Sequence, residues 1–501
     1  MLINTIKKFT QKINFKLLLL LVLALIIRLV IHSIRDLWWD EVFTSYLVNQ
    51  HWLKMFDIII RDVHPPLYYI FLKIWCFFFG ISPLGLRSFS ILCGLILITI
   101  VYSFISKITN NKKISYIIAF ILAINPFFVD YSLEARPYML STLLASLTLY
   151  FFYLALTNQA LKTKKYWLST TTCLGLLFLT HYLTSMIIAI FLIFIYIYYF
   201  INQTRQTVKQ KIIHLITISI PAGALFFAWL PGYIAQSKIS GTPQWIPQLG
   251  LGRFVIATYG FLFGVYSNYL GLPGVRQLLA NSNSSFIIGA IILILIFIGS
   301  IVVFKSKNNY LKTIALLSFL LWIVPMLSLL TLSTFNITNL FVERYVITSA
   351  FFFIICIALI LSVINKKTLY AIVIIYALLI ARIYITAYPI NHDYTQVASF
   401  VQQNFKVNNN NVYVTAVNDF EIMRYYLRNT DIKIYLYDTK YNSVSNAYNN
   451  EYEGYKIIQP TEIAVSPDVL RSNDIIIANN NISNVQFSSI YSFYNWKILT
   501  K

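Results

Sequence analysis

The chain has 501 residues, of which 58% are hydrophobic and only 11% charged. So few charges cannot cover the surface of a water-soluble protein of this size, so lipid is the solvent for most of the chain; the mean hydropathy of +0.68 agrees. The formal net charge of +21 would suggest nucleic acid in a soluble protein. Here the Lys and Arg sit in short loops between apolar runs, as the bias of basic residues toward the cytoplasmic side requires, and no nucleic-acid partner is expected.

A helix crossing the hydrocarbon core needs about 20 apolar residues. The first such run, 17–35, follows Lys7, Lys8, Lys12 and Lys16. It is too long for a signal-peptide core and lacks a small-residue cleavage site, so it is read as a retained first span. Residues 41–60 are not a span. Phe43, Tyr46, Leu47, Leu53, Phe56 and Ile60 form a helical stripe that suits an amphipathic helix at the membrane surface. Residues 66–80 are apolar but would reach only about 22 Å as a helix. Full spans are then predicted at 88–106, 114–129, 137–157, 166–184, 186–200, 212–230, 285–304, 311–331, 345–363 and 368–388, with 253–270 apolar but interrupted. Cys76, Cys93, Cys173 and Cys356 all fall in or beside apolar runs and read as small packing residues.

Basic clusters at Lys107/Lys112/Lys113, Lys162/Lys164/Lys165, Arg205/Lys209/Lys211, Lys305/Lys307 and Lys366/Lys367 agree on one orientation. With these cytoplasmic, 130–136, 181–185, 231–284, 332–344 and all residues after 389 lie outside. Only one net crossing is then allowed between 36 and Lys107, so 66–80 is read as re-entrant or pressed into the outer leaflet. The alternative is a full span there, with Lys107–Lys113 outside. After Pro389 the composition turns rich in Asn, Asp, Lys and Tyr. Runs at 411–417, 432–437 and 474–478 read as strands, and 394–405 and 419–428 as helices. The expected architecture is an all-α membrane bundle of about 11–13 helices over 1–390 with a small α/β domain over 391–501. No Gly-rich phosphate loop is present, so no nucleotide site is assigned.

Ionisable groups near membrane depth are costly and are functional candidates by default. WWDE (Trp38–Glu41) follows the first span; its bland reading is a solvated loop start in an aromatic belt. DVHPPLYY (Asp62–Tyr69) places His64 at the mouth of an apolar segment, where it could simply hydrogen-bond. DYSLEARPY (Asp130–Tyr138) carries Glu134 and Arg136, which could be a satisfied ion pair. FVERY (Phe341–Tyr345) carries Glu343 and Arg344, equally readable as an interface pair. Arg87 opens a span, His181 ends another in THYLTS, and Arg28 lies inside the first, where it either snorkels or faces a polar cavity. All but Arg28 converge on the predicted outer face. Arginines there can fork onto a phosphate, and a carboxylate can deprotonate an acceptor hydroxyl.

WWDE, HPPLYY, EARPY and ERY, in that order, resemble the glycosyltransferase-C superfamily, in the branch holding the protein O-mannosyltransferases and the bacterial aminoarabinose transferases of lipid A. The likeness covers roughly 17–390, and a trailing α/β domain is common in bacterial members. It implies transfer with inversion from a polyprenyl- or dolichyl-phosphate sugar on the non-cytoplasmic face of a bacterial plasma membrane, to a protein, lipid or glycan acceptor. It implies Asp40 as base, Glu41 in support and Glu134 as the second acidic position. Arg87, Arg136 and Arg344 would hold the lipid phosphate, with His64, Tyr138 and Tyr345 in the same binding set. No cofactor is required, although some members hold a divalent metal near the positions of His64 and His181; Val63 stands where an acid would help such a site. The rival reading is a transporter or flippase of lipid-linked sugars. Such proteins commonly carry inverted repeats with broken helices, and no internal symmetry is visible.

Overall fold

The computed structural model describes residues 14–157, 163–201, 207–238, 246, 248–264, 282–337, 339–386, 393–404, 411–414, 417–437, 463–464, 475–479, 488–493 and 496–500. Packing divides the chain into two units. One comprises Met1–Val30, Val63–Phe79 and Arg87–Pro389; the other comprises Ile31–Asp62, Gly80–Leu86 and Ile390–Lys501.

The first unit is helical. Its elements are α1 (Phe15–His32, whose end enters the second unit), α4 (Leu67–Phe79), α5 (Pro83–Thr109, which begins in the second unit), α6 (Lys112–Ile124), α7 (Pro126–Ser132) and α8 (Tyr138–Thr157). There follow α9 (Thr163–Phe178), α10 (Tyr182–Ile201), α11 (Val208–Ser237), α12 (Arg253–Phe263), α13 (Ser282–Phe304), α14 (Asn309–Thr334), a 3-10 turn Glu343–Val346, α15 (Ile347–Leu361) and α16 (Lys366–Thr386). Among the described residues eight helices are long and apolar enough to cross a membrane, or nine if the bent pair α6–α7 is one span; α4, Tyr182–Ile193 and α12 are shorter apolar helices. At 13 residues α4 is about 20 Å long, short of the roughly 30 Å core.

Local chemistry explains the breaks. Asn111 caps α6, its side chain accepting from Lys113 N at 3.0 Å. The expected span 114–129 is instead bent by 60° at Asn125. Pro126 has no N–H to continue α6 but suits the first turn of α7, and the Asn125 side chain accepts from Phe128 N at 3.1 Å. The same amide donates to Phe261 O at 2.9 Å and to Tyr376 Oη at 3.1 Å, joining the bend to α12 and α16. Helix α12 stops at Gly264, whose φ of +85° few other residues tolerate. Arg28 does not snorkel: it is buried among polar groups, and donates to Ser132 Oγ at 2.8 Å, Ala24 O at 3.0 Å and Ala123 O at 3.2 Å. The four cysteines are buried free thiols.

In the second unit the amphipathic stretch 41–60 forms two helices, α2 (Trp39–Asn49) and α3 (Trp52–Ile60), separated where Gln50 turns extended. The expected single stripe fails in α3. Met55, Ile58 and Ile59 are its buried face, and Leu53 is 77% exposed. The C-terminal part contains α17 (Asp393–Asn404), β1 (Val412–Val414), α18 (Val417–Tyr426), β2 (Ile434–Tyr437), β3 (Ile463–Ala464), β4 (Ile475–Asn479), β5 (Ser488–Phe493) and β6 (Trp496–Thr500). The sheet order is β3-β2-β1-β4-β6-β5, parallel across the first four strands and antiparallel at β4–β6 and β5–β6. Val397, Val401, Val412, Val414, Phe420, Met423, Leu436 and Ile477 form the core between helices and sheet.

Candidate active site

In the first unit the site is built around His64 and Arg136. Pro65 and Pro66 fix the backbone leading into α4, and Leu67 N donates to Leu179 O at 2.9 Å, tying the start of α4 to the turn before α10. The His64 carbonyl accepts from Gln236 Nε2 at 2.9 Å. Gln236 accepts from the Tyr182 hydroxyl, which accepts from Trp229 Nε1 at 2.7 Å. Side chains from α10 and α11 therefore hold the backbone at His64, leaving its ring to meet Arg136. The buried Arg136 guanidinium donates through Nη1 to Tyr69 Oη at 3.2 Å and places Nη2 3.2–3.3 Å from the ring nitrogens of His64.

Neighbouring groups extend this cluster. His181 lies within electrostatic range of His64. Its Nδ1 is 3.1 Å from Thr184 Oγ1, and its ring is 6.4 Å from that of Tyr345. The Arg344 guanidinium lies 5.6 Å from the Tyr345 ring centroid, within cation–π range. Tyr131 brings the rest together: Glu134, Glu343, Tyr138 and Arg344 are its charged and polar neighbours, and its ring meets Tyr138 edge-on at 5.5 Å. Arg87 is fully buried in the same unit near the start of α5. Tyr345 and Thr348 also line a mostly apolar cleft with Ile187, Leu321, Pro325 and Phe352.

In the sequence an interface pair between Glu343 and Arg344 is the bland alternative to a phosphate-binding Arg344. The structure gives Glu343 an ion pair with Arg253 instead, 90 residues away, and turns Arg344 toward Tyr345. In the short 3-10 turn consecutive side chains point in different directions, so adjacency in sequence did not make a pair. Arg253, Tyr69, Tyr131 and Gln236 went unassigned. For Arg253 a signal was present: an arginine at the head of an apolar run is a candidate for the same reason as Arg87.

In the second unit Asp40 and Glu41 lie in the first turn of α2, where acidic groups favour the positive end of the helix. Both are buried, Glu41 completely. Glu41 Oε2 accepts from Trp38 N at 3.4 Å, so Glu41 helps to cap its own helix; the indole of Trp38 can only donate, so the return half of a capping box does not form. Asp36, just upstream, accepts from Thr395 N at 3.0 Å, from the Thr395 hydroxyl, and from Tyr426 Oη at 3.3 Å.

A divalent metal is not well suited to these residues. Among the described residues no three His, Cys, Asp or Glu side chains converge. The two imidazoles that could begin a site have a guanidinium hydrogen-bonded to one of them, and a cation beside Arg136 would be repelled.

Residues 63–229 match the family model described as dolichyl-phosphate-mannose-protein mannosyltransferase. The undecaprenyl phosphate-alpha-4-amino-4-deoxy-L-arabinose arabinosyl transferase of Wigglesworthia glossinidia brevipalpis is 27% identical over 221 residues, covering 42% of this chain and 38% of that protein. The crystal structure of ArnT from Cupriavidus metallidurans bound to undecaprenyl phosphate superposes with a TM-score of 0.57 at 10% identity, covering 96% of this chain and 97% of the other. Bundle, trailing α/β layer and matched segment agree: the chain has the glycosyltransferase-C membrane fold and is similar to the branch of protein mannosyltransferases and aminoarabinose transferases.

Proposed function

We propose that this protein transfers a sugar, with inversion, from a polyprenyl-phosphate carrier to an acceptor hydroxyl on the outer face of the membrane. The observation that carries the reading is the buried Arg136 held between Tyr69 and His64, with Arg344 in the same unit. A buried guanidinium suits a phosphate, to which it can fork in two parallel bonds.

The chemistry follows from these groups. The acceptor oxygen attacks the anomeric carbon as the carbon–phosphate oxygen bond breaks, and Asp40 takes the acceptor proton. Glu41 holds the first turn of α2. Glu134 supplies the second acidic position. Arg136, Arg344 and Arg87 stabilise the charge that builds on the departing phosphate, where prearranged donors act most strongly. Tyr138 and Tyr345 shape the donor site. The relatives' printed names supply the carrier chemistry: undecaprenyl phosphate in one, dolichyl phosphate in the other.

The test combines two measurements on the purified full chain. Mass spectrometry should find polyprenyl phosphate, with or without its sugar, co-purifying with the protein. Single-turnover transfer by Asp40→Asn should fall about 10² to 10⁴-fold, the usual contribution of a general base, while affinity for undecaprenyl phosphate stays near normal. Unchanged transfer would refute Asp40 as the base and leave Glu134 as the next carboxylate.

A further inference from the structure

Five hydrogen bonds fasten the segment that carries Asp40 to the C-terminal helices of its own unit. The Asp36 carboxylate accepts from Thr395 N at 3.0 Å and from the Thr395 hydroxyl. Thr395 is the third residue of α17, one of the first four N–H groups that no helical carbonyl can reach. Asp36 therefore caps α17 from outside, with its charge at the positive end of that helix. The Tyr426 hydroxyl donates to Asp36 at 3.3 Å and accepts from Leu37 N at 2.8 Å, so one side chain from α18 holds both a carboxylate and an adjoining backbone amide. Trp39 Nε1 donates to Glu421 Oε2 at 2.5 Å. Asp36, Leu37 and Trp39 are buried or nearly so, and α2 packs against α18. Asp40 is the next residue after Trp39, in the first turn of the helix these contacts orient.

We propose that Thr395, Glu421 and Tyr426 are positioning residues for Asp40, and that the C-terminal α/β layer serves the reaction by fixing the start of α2. This rests on the reading of Asp40 as the base. A proton acceptor misplaced by about 1 Å loses much of its advantage, because rate depends steeply on the orientation of reacting groups. The α/β layer thus supplies hydrogen bonds to three of the four residues that lead into Asp40. Tyr426 is the central member because it makes two of the contacts, and removing its oxygen leaves the ring packed in place.

The experiment uses the full-length protein in detergent. Hydrogen exchange over residues 36–41 is compared in the wild type, Tyr426→Phe, Glu421→Leu and Glu421→Gln, alongside single-turnover transfer and affinity for undecaprenyl phosphate. Loss of the two Tyr426 bonds should speed exchange at Leu37 about tenfold or more and lower transfer at least tenfold with unchanged affinity. Glu421→Leu should do the same to a lesser degree. Glu421→Gln, which still accepts from Trp39, should restore both. Wild-type exchange in Tyr426→Phe overturns the clamp. Faster exchange with undiminished transfer, in a protein where Asp40→Asn is inactive, overturns the positioning role. If Asp40→Asn itself transfers normally, the functional reading fails; the exchange measurement identifies that case, because it is read without turnover.

Discussion

Arg253 and Glu343 give the sharpest energetic test of the helical unit. The Glu343 side chain is only 6% exposed and its carboxylate is paired with a guanidinium that is 27% exposed. Breaking a buried pair by removing one partner typically costs 3–5 kcal/mol, because the surviving charge stays buried and unpaired. The partial exposure of Arg253 lets some water reach the site, which places Arg253→Met at the lower end, about 3 kcal/mol. That is roughly a hundredfold change in the folding equilibrium. Arg253→Met/Glu343→Leu leaves no charge behind and should recover most of the loss. The assay is reversible unfolding in mixed micelles with increasing denaturing detergent, read on the wild type, both single variants and the double. A coupling energy of about 2 kcal/mol or more is expected from the cycle. Equal destabilisation of Arg253→Met and the double variant would refute the reasoning, since it would mean the unpaired Glu343 carries no penalty.

Burial pushes the Asp419 carboxyl up to about 6 although the Tyr394 hydroxyl bonded to it pulls the other way. Its folded value lies above the unfolded one, so its contribution to stability is complete below about pH 4 and is lost as pH rises through 6, amounting to roughly 3 kcal/mol. Asp419→Asn should flatten the stability profile between pH 4 and 7, and an unchanged slope would count against a raised carboxyl. A Cβ at Gly289 would stand 2.5 Å from the Val255 carbonyl, whereas one at Gly223 would meet nothing within 4 Å. Gly289→Ala should therefore destabilise by about 1–3 kcal/mol and Gly223→Ala should stabilise by up to about 1 kcal/mol; thermal unfolding of the two side by side decides it. Cysteines introduced at the exposed positions Val63 and Leu84 should both react with an impermeant thiol reagent from outside the cell if α4 does not cross. Labelling at Val63→Cys alone would make α4 a true span.

The sequence by itself determined the class of protein and most of its helices. Runs such as 137–157 and 311–331 reappear as Tyr138–Thr157 and Asn309–Thr334, because lipid demands length and apolarity that composition displays openly. It also marked Asp40, His64, Arg136 and Arg344, since a charge beside a span is conspicuous. The tertiary structure decided what those charges meet. Arg136 finds Tyr69 and His64 across 67 and 72 residues, and Glu343 finds Arg253 across 90. No local pattern encodes such pairs. The bend at Asn125 was legible in principle from Asn-Pro, but a continuous apolar run hid it. The hairpin β5–β6 was missed because its residues alternate too weakly to stand out as strands, and only pairing with β4 defines it. Least visible of all was the company kept by residues 31–62. Their own sequence shows amphipathicity and the acidic pair in WWDE but names no partner, and the fold brings Thr395, Glu421 and Tyr426, some 360 to 390 residues away, to Asp36 and Trp39. Periodicity is a property of neighbours along the chain, whereas a buried polar group must be satisfied by whatever the fold brings to it.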